Sequence, residues 1–222
     1  MTDGQNLFDD NSTPHGSWEV VKAVENERKS GVGNAVIVGI DNGNAWRDSE
    51  LTPKSIGEVQ HPEMLCEDFK PEGEIFDNFL MNTVIPYVEN NFPVCTDRQN
   101  VAVCGSSSGG LMSFFSAVEH PEKFGYAGVF SPAFLCYTRE DWAKYLSTKI
   151  VENMPYLYIY TGNGDELEEM IFESTEMLYE LLEESFYPYD RMNEVILFEN
   201  AHNEKSWREI FPDFLHTFLS RL

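Results

Sequence analysis

The chain has 222 residues and a mass of 25.5 kDa, which fits one domain with a full core and leaves little room for two. It carries 38 Asp and Glu against 15 Lys and Arg, giving a formal net charge of −23. Such a surface repels phosphate backbones and anionic membranes, so we expect neither nucleic acid nor a membrane as a partner. The acidity fits a solvated surface or an adaptation to salt, and the sequence leaves both readings open.

Five short apolar runs, typical of strands buried on both faces, alternate with longer helical patterns. The runs are residues 35–40, 101–104, 126–130, 156–160 and 195–198. Apolar residues recur every three or four positions in the helical patterns 74–91, 166–184 and 206–219, with Pro86 a candidate kink. This alternation predicts a single α/β domain over residues 1–222, with a mostly parallel sheet flanked by helices and a site at the carboxyl ends of the strands.

Residues 105–109, Gly-Ser-Ser-Ser-Gly, join the predicted strand 101–104 to a helical pattern that starts at Ser108. Gly-x-Ser-x-Gly at a strand-to-helix turn is typical of a nucleophile elbow, whose central serine is strained and exposed. The flanking glycines are needed where neighbouring chains pass too close for a Cβ atom. Ser107 is therefore the candidate nucleophile, and a simple connecting loop is the alternative.

A serine nucleophile needs a histidine base and a carboxylate that orients it, which follow in the chain order Ser, acid, His in α/β-hydrolases. His202 follows the last predicted strand in a loop, whereas His216 lies within the terminal helical pattern. His15, His61 and His120 come too early. His202 is therefore the predicted base.

The predicted acid lies after the strand 156–160, where Gly162 and Gly164 mark a tight turn. Asp165 is preferred over Glu166 because it is closer to the end of the strand. Each residue also has a structural interpretation, Asp165 as a helix N-cap and Glu166 as a first-turn acid.

These residues resemble the putative-esterase branch of the α/β-hydrolases, which includes feruloyl and acetyl-xylan esterases, siderophore esterases and S-formylglutathione hydrolases. The matching segments are residues 3–8, 38–43 with Arg47 and Glu50, 105–110, 120–124, 131–132, 162–165, and 202–204 with Trp207. The resemblance implies a triad of Ser107, Asp165 and His202, and an oxyanion hole formed by the backbone N–H groups of Ser108 and Gln5. It also implies a substrate with an acyl group on a carbohydrate.

The chain departs from this family at its start, because members carry further strands before the segment that corresponds to Asp3-Gly4-Gln5. The strand leading into that segment belongs between the runs 35–40 and 101–104, so its loss would leave a gap in the sheet. A rearranged sheet, a strand from a partner chain and a start at an internal methionine are the three explanations. An unpaired sheet edge favours self-association, so we expect a homodimer or larger assembly.

Arg47 and Trp46 are the weakest site candidates. Arg47 fits either an anionic substrate or a loop that it pins through nearby carbonyls or carboxylates, and Trp46 fits stacking on a sugar or phenolic group, although such aromatics are more often packed in the core. No histidine–carboxylate cluster has metal spacing and no nucleotide-binding glycine motif is present, so we expect no cofactor.

The N-terminus carries no basic segment followed by an apolar one, and no apolar run approaches the roughly 20 residues of a membrane span, so we expect a cytoplasmic protein. Cys104 and Cys136 are expected as buried thiols, and a bridge between Cys66 and Cys95 stays open. The sequence thus predicts a serine carboxylesterase for short acyl or aryl-acyl esters. An acyltransferase with the same triad and a non-catalytic binding protein of this fold are the alternatives.

Overall fold

A computed structural model describes residues 1–11, 13–62 and 65–220 of the chain. Its centre is a sheet of four parallel strands in the spatial order β1-β2-β3-β4. The strands are β1 (Ala102–Ser106), β2 (Tyr126–Phe130), β3 (Tyr156–Gly162) and β4 (Met192–Leu197). The α/β fold predicted from the alternating pattern is confirmed, and each of these strands overlaps a predicted run.

Helices cover both faces of this sheet. They are α1 (Val20–Ser30), α2 (Arg47–Glu50), α3 (Gly73–Phe79), α4 (Ile85–Asn91), α5 (Ser108–Glu119), α6 (Arg139–Leu146), α7 (Glu166–Glu184) and α8 (Glu204–Ser220). Short 3₁₀ turns lie at Gly4–Asn6, Asn44–Trp46, Arg98–Asn100, Phe134–Cys136 and Tyr189–Arg191. Within the described ranges, none of the helices combines the length and apolar content needed to cross a membrane.

Alternate residues of β3 supply two separate cores. Leu157 and Ile159 pack in the cluster that includes α5, α6 and α7, whereas Tyr158 and Tyr160 pack on the opposite face with α1 and α8. All four side chains are fully buried. Because side chains alternate along a strand, an uninterrupted apolar run serves both faces of the sheet, which explains why the strand pattern showed no polar alternation.

The predicted helix at 74–91 forms as two α-helical segments, α3 and α4, joined by a wider π-helical turn at Leu80–Val84. Pro86 has no N–H to donate to the carbonyl of Asn82, four residues earlier. A widened turn just before the proline relieves that mismatch, and the helix continues through it.

The predicted strand at 35–40 is the exception, because no regular strand forms there. Its backbone bonds instead go to the first residues of the chain. The Met1 amine donates to Val38 O (2.7 Å), Ile40 N–H donates to Met1 O (3.0 Å), and Gly4 N–H donates to Ile40 O (2.8 Å). These few backbone hydrogen bonds make too short a ladder for a strand to form.

The first residues also reach β1, since Thr2 N–H donates to Cys104 O at 3.1 Å. They therefore lie between segment 35–40 and β1, where the sequence predicted a gap in the sheet, and they fill the part of that gap next to Cys104. The rest of the gap is an apolar cavity of about 460 Å³, and α8 residues such as Phe214 and Phe218 also line it.

The four cysteines are free thiols, so the bridge left open between Cys66 and Cys95 is not formed. Cys104 and Cys136 are buried, as predicted. Burial raises the pKa of each of these two thiols to about 12, which keeps them protonated and unreactive at neutral pH.

A buried carboxylate of α3, that of Asp77, is hydrogen-bonded to the end of α5. Asp77 accepts from Ser116 Oγ at 2.7 Å and lies 2.6 Å from His120 Nε2. The hydrogen bond to Asp77 raises the pKa of His120, against the smaller opposing effect of partial burial, and the nearby charges of Asp77, Glu122 and Glu119 raise it further.

A folded-state pKa above the unfolded value means that protonated His120 stabilises the fold fully below about pH 6.5, and that this contribution is lost as the pH rises through the folded-state pKa. We therefore expect His120→Gln to lower the free energy of unfolding by about 1 kcal/mol more at pH 6 than at pH 9, allowing for solvent screening. Urea titrations of both proteins at the two pH values measure this difference. His216→Gln removes an exposed contact with Glu27 and is the control, with little expected change. A deficit that grows with pH would contradict the assignment.

Candidate active site

Ser107 lies at the carboxyl end of β1, in the strained turn expected of a nucleophile. Its backbone has φ 59° and ψ −126°, and α5 begins with the next residue. Such a conformation is unfavourable for a residue with a Cβ atom and persists only where surrounding contacts hold it. Here the Ser107 N–H donates to Phe130 O, and the Ser107 carbonyl accepts from Leu111 and Ala133.

The two glycines of the motif are needed for close packing, as the sequence predicted. A Cβ atom on Gly105 would lie 2.6 Å from the carbonyl oxygen of Gly109 and would also meet Thr2 Oγ1. A Cβ atom on Gly109 would meet the same Thr2 hydroxyl. Only glycine at both positions lets the strand end, the helix start and the first residues of the chain pack together.

His202 lies in the loop after β4, at the same edge of the sheet as Ser107, because all four strands are parallel. Its ring is mostly buried, with the side chain 11% exposed. Its Nδ1 lies 2.6 Å from Glu168 Oε2. A carboxylate accepts and does not donate, so Nδ1 carries the proton, and in the neutral ring Nε2 is left as the acceptor.

Asp165, the predicted acid, contacts the histidine at a different atom. Its Oδ2 accepts from the backbone N–H of His202 at 2.7 Å, and its Oδ1 accepts from Glu168 N–H at 2.9 Å as the N-cap of α7. Partial burial alone would raise the pKa of Asp165, but these two amide bonds outweigh it and lower the pKa. The structure thus places Asp165 on the main chain of the His202 loop, and the imidazole contact belongs to Glu168.

Glu166, the alternative acid, is exposed in the first turn of α7, where its negative charge faces the positive end of the helix dipole. Its position matches the structural interpretation that the sequence offered for it.

Glu168 is fully buried in the first turn of α7, and both oxygens of its carboxylate have hydrogen-bond partners. Besides the imidazole on Oε2, its Oε1 accepts from Ser131 Oγ at 2.6 Å and from Gly162 N–H at 2.8 Å. A buried carboxylate is tolerated only when it is paired and hydrogen-bonded, and Glu168 meets both conditions. The arrangement fixes both the position of the carboxylate and the face that it presents to His202.

Trp207 contacts both Ser131 and His202, two neighbours of the Glu168 carboxylate. Its indole Nε1 donates to Ser131 Oγ at 2.9 Å, so Ser131 relays a hydrogen bond from Trp207 to Glu168. Its ring also meets His202 edge to face, with centroids 5.1 Å apart and planes at 89°. Trp207 lies in the predicted helical pattern 206–219, and the structure adds these two contacts with the site.

Glu168 was missed by the sequence interpretation, although a signal for it exists. The buried stripe of α7 runs through positions 168, 171, 175, 178 and 182, at alternating spacings of three and four. Leu167 and Met170, two apolar residues of the predicted pattern 166–184, are instead 42% and 41% exposed. A glutamate at the buried register of an amphipathic helix is unusual and points to a partner.

The two predicted oxyanion donors lie on separate chain segments. Ser108 N–H is at the start of α5, and Gln5 N–H is in the 3₁₀ turn Gly4–Asn6. Within the described part of the chain, neither amide donates to another backbone group. The Gln5 side chain is held in place, because its Oε1 accepts from Asn42 N–H at 3.1 Å. Both amides therefore remain available to a ligand.

Arg47 and Trp46 have different environments. Arg47 Nε and Nη2 donate to the two carboxylate oxygens of Asp3, at 2.6 and 2.8 Å, and Nη2 also donates to Ser106 O at 3.2 Å. These contacts match the alternative in which Arg47 pins its own loop, and its role in substrate binding stays a prediction. Trp46 is 57% exposed.

No group of three or more His, Cys, Asp or Glu side chains suited to hold a metal ion occurs among the described residues. The residues that converge at this edge of the sheet are therefore a strained serine, a carboxylate-bound histidine and free backbone amides. Together with the parallel sheet, this arrangement is typical of the α/β-hydrolase class.

Comparison with known proteins places the chain in a family within that class. The profile of the family described as "Putative esterase" matches residues 1–218, so the chain belongs to this family. An endo-1,4-beta-xylanase/feruloyl esterase from Xylanibacter ruminicola is 32% identical over 106 residues, which are 47% of this chain and 13% of that protein.

Two solved structures share the fold at low sequence identity. The enterochelin esterase of Shigella flexneri aligns with a TM-score of 0.71 and 18% identity over 99% of this chain and 50% of its own. The siderophore hydrolase EstA of Aspergillus nidulans aligns with a TM-score of 0.68 and 18% identity over 97% of this chain and 80% of its own. The chain spans half of the first of these proteins and a small part of the xylanase/esterase.

Proposed function

We propose that the chain is a serine esterase that hydrolyses carboxylic esters through an acyl-enzyme on Ser107. The observation that supports it most is the contact of His202 Nδ1 with the buried carboxylate of Glu168, at the sheet edge that also carries the strained Ser107 turn. In this proposal Glu168 replaces Asp165 as the acid of the triad, and Asp165 positions the His202 loop.

In the acylation step, His202 Nε2 accepts the proton of the Ser107 hydroxyl as Oγ attacks the ester carbonyl. Within the described residues that hydroxyl makes no hydrogen bond, and proton transfer requires Oγ and Nε2 to approach to about 3 Å with substrate bound. The negative charge on the carbonyl oxygen is stabilised by the amides of Ser108 and Gln5. Glu168 stabilises the imidazolium and keeps the proton on Nδ1.

In the second half of the reaction, His202 gives its proton to the leaving alcohol, and the C–O bond of the ester breaks. Water then enters, loses a proton to Nε2 and attacks the acyl-enzyme. The acid is released, and the proton returns to Ser107.

The proposed substrates are short acyl and aryl-acyl esters, with carbohydrate-linked feruloyl esters as the natural class. The Xylanibacter ruminicola endo-1,4-beta-xylanase/feruloyl esterase, 32% identical over 106 residues, supports this choice. The net charge of −23 favours a neutral ester over an anionic one.

Turnover of p-nitrophenyl acetate and methyl ferulate, followed by absorbance, tests the proposal. We expect both esters to be hydrolysed, with free acid as the product. Transfer of the acyl group to an added acceptor alcohol in preference to water would show an acyltransferase. A folded protein that binds either ester without turnover would be a binding module, and the esterase proposal would fail.

The homo-oligomer expected from the unpaired sheet edge remains a prediction. Light scattering of the purified protein measures its mass in solution. A mass of at least twice 25.5 kDa is the expected result, and a mass of one chain would contradict it.

A further inference from the structure

Arg47 is engaged with Asp3 and Ser106, which stand two residues before the proposed oxyanion donors Gln5 and Ser108. Its two bonds to Asp3 form a fork that matches the two carboxylate oxygens, and a third bond reaches Ser106 O. The Arg47 side chain is 25% exposed and that of Asp3 is 7% exposed. Planar, two-point pairing of this kind fixes orientation as well as distance, which a lysine cannot reproduce.

The three bonds join the two chain segments that carry the oxyanion donors. Asp3 precedes the turn that presents Gln5 N–H, and Ser106 precedes the turn that presents Ser108 N–H. These segments are about a hundred residues apart in sequence, and the guanidinium of Arg47 contacts both.

Asp3 needs such support because its backbone is strained. It has φ 53° and ψ 48°, in the left-handed region, and the Gly4 N–H that follows it donates to Ile40 O. A left-handed residue that is not glycine is held by its surroundings. Asn42 Nδ2 also donates to Asp3 Oδ1 at 2.5 Å, and Arg47 supplies two further hydrogen bonds to this carboxylate.

The charge of Arg47 has a second consequence. Without it, the nearly buried carboxylate of Asp3 would carry an uncompensated charge two residues before Gln5, one of the two proposed oxyanion donors. Because a carboxylate repels an oxyanion, neutralising Asp3 favours the transition state more than the neutral ester.

We propose, on the basis of the esterase function above, that Arg47 is a positioning residue of the oxyanion hole. It fixes the Gln5 and Ser108 amides relative to each other and neutralises Asp3, without touching the reacting atoms. Loss of Arg47 should therefore weaken stabilisation of the transition state and leave binding of the ester nearly unchanged.

The test measures kcat, KM and the inhibition constant of an aryl trifluoromethyl ketone, whose adduct with serine carries an oxyanion. In Arg47→Ala we expect kcat to fall about 10- to 100-fold, less than or equal to the loss of one direct oxyanion donor, with KM within about threefold of wild type. Affinity for the ketone should fall by a factor similar to that for kcat/KM. Added guanidinium should restore part of kcat, and Arg47→Lys should recover less than full activity.

Arg139→Ala is the matched control, since Arg139 forms exposed pairs with Glu180 and Glu184 far from the strand ends that carry the site, and it should keep wild-type kinetics. Circular dichroism checks folding, and if Arg47→Ala does not fold, Arg47→Lys carries the same comparison.

A raised KM with unchanged kcat would show substrate binding by Arg47 and overturn the proposal. A loss of kcat without loss of ketone affinity would also overturn it. A wild type with no turnover would overturn the esterase proposal and this inference together, whereas active wild type with an unaffected Arg47→Ala would overturn this inference alone.

Discussion

Ser107→Ala should abolish ester hydrolysis, with kcat for p-nitrophenyl acetate lowered by about 10⁴- to 10⁶-fold. The alanine keeps the Cβ atom and therefore the strained backbone of the turn, so the change removes the nucleophile and little else. A small residual rate should remain from substrate binding and the oxyanion amides. Initial rates at saturating ester, measured with enough protein to detect slow turnover, give the comparison.

Ser106→Ala is the matched control, because Ser106 is the preceding serine of the same motif and is buried, at 3% exposure. It should retain most of the activity. Nearly wild-type turnover by Ser107→Ala, or a loss of the same size in Ser106→Ala with a folded protein, would contradict the assignment of the nucleophile.

Glu168→Gln should have the second largest effect, a fall in kcat of about 10³- to 10⁴-fold. The new amide oxygen can still accept from Ser131 Oγ and Gly162 N–H, as Oε1 does now. The amide NH₂ then faces His202 Nδ1 and donates to it. This reverses the tautomer, places the proton on Nε2 and leaves the ring unable to accept the proton of Ser107.

Asp165→Asn is the companion variant, because its amide oxygen can still accept from His202 N–H or cap α7. We expect kcat to fall by about tenfold or less, since the imidazole contact is untouched. Thermal unfolding of both variants separates a catalytic loss from an unfolded protein. The reverse order, with a large loss in Asp165→Asn and nearly full activity in Glu168→Gln, would restore the sequence-based choice of Asp165.

The sequence did not lead to Glu168, the acid proposed above, because two carboxylates, three residues apart, contact the same loop. The strand end and glycine turn located the segment, but an acid after a strand and an N-cap aspartate give the same pattern. Only the register of α7 separates them, since it buries Glu168 and turns its carboxylate toward β3 and His202. Glu166 is exposed in the same turn.

Other elements show what local patterns can and cannot predict. Residues 126–130 and 166–184 form the strand and helix predicted there, although the first turn of the helix buries Glu168 and exposes Leu167. The sequence of helix α1 shows no apolar stripe, because Val20 and Ala23 are the only residues that this helix buries. The run 35–40 has strand-like residues, but among the described residues its backbone hydrogen bonds go to the first residues of the chain alone. Partners at that distance in sequence are not visible in the run itself.

Covalent labelling with a fluorophosphonate tests the central claim most directly, because such a reagent reacts with an activated serine and leaves an adduct at that residue. We expect one adduct per chain, mapped by mass spectrometry to the peptide that contains Ser107, with loss of esterase activity in proportion. Glu168→Gln should react far more slowly, and Ser107→Ala should stay unlabelled. An adduct at another residue, or full esterase activity in a chain labelled at Ser107, would contradict the proposed mechanism.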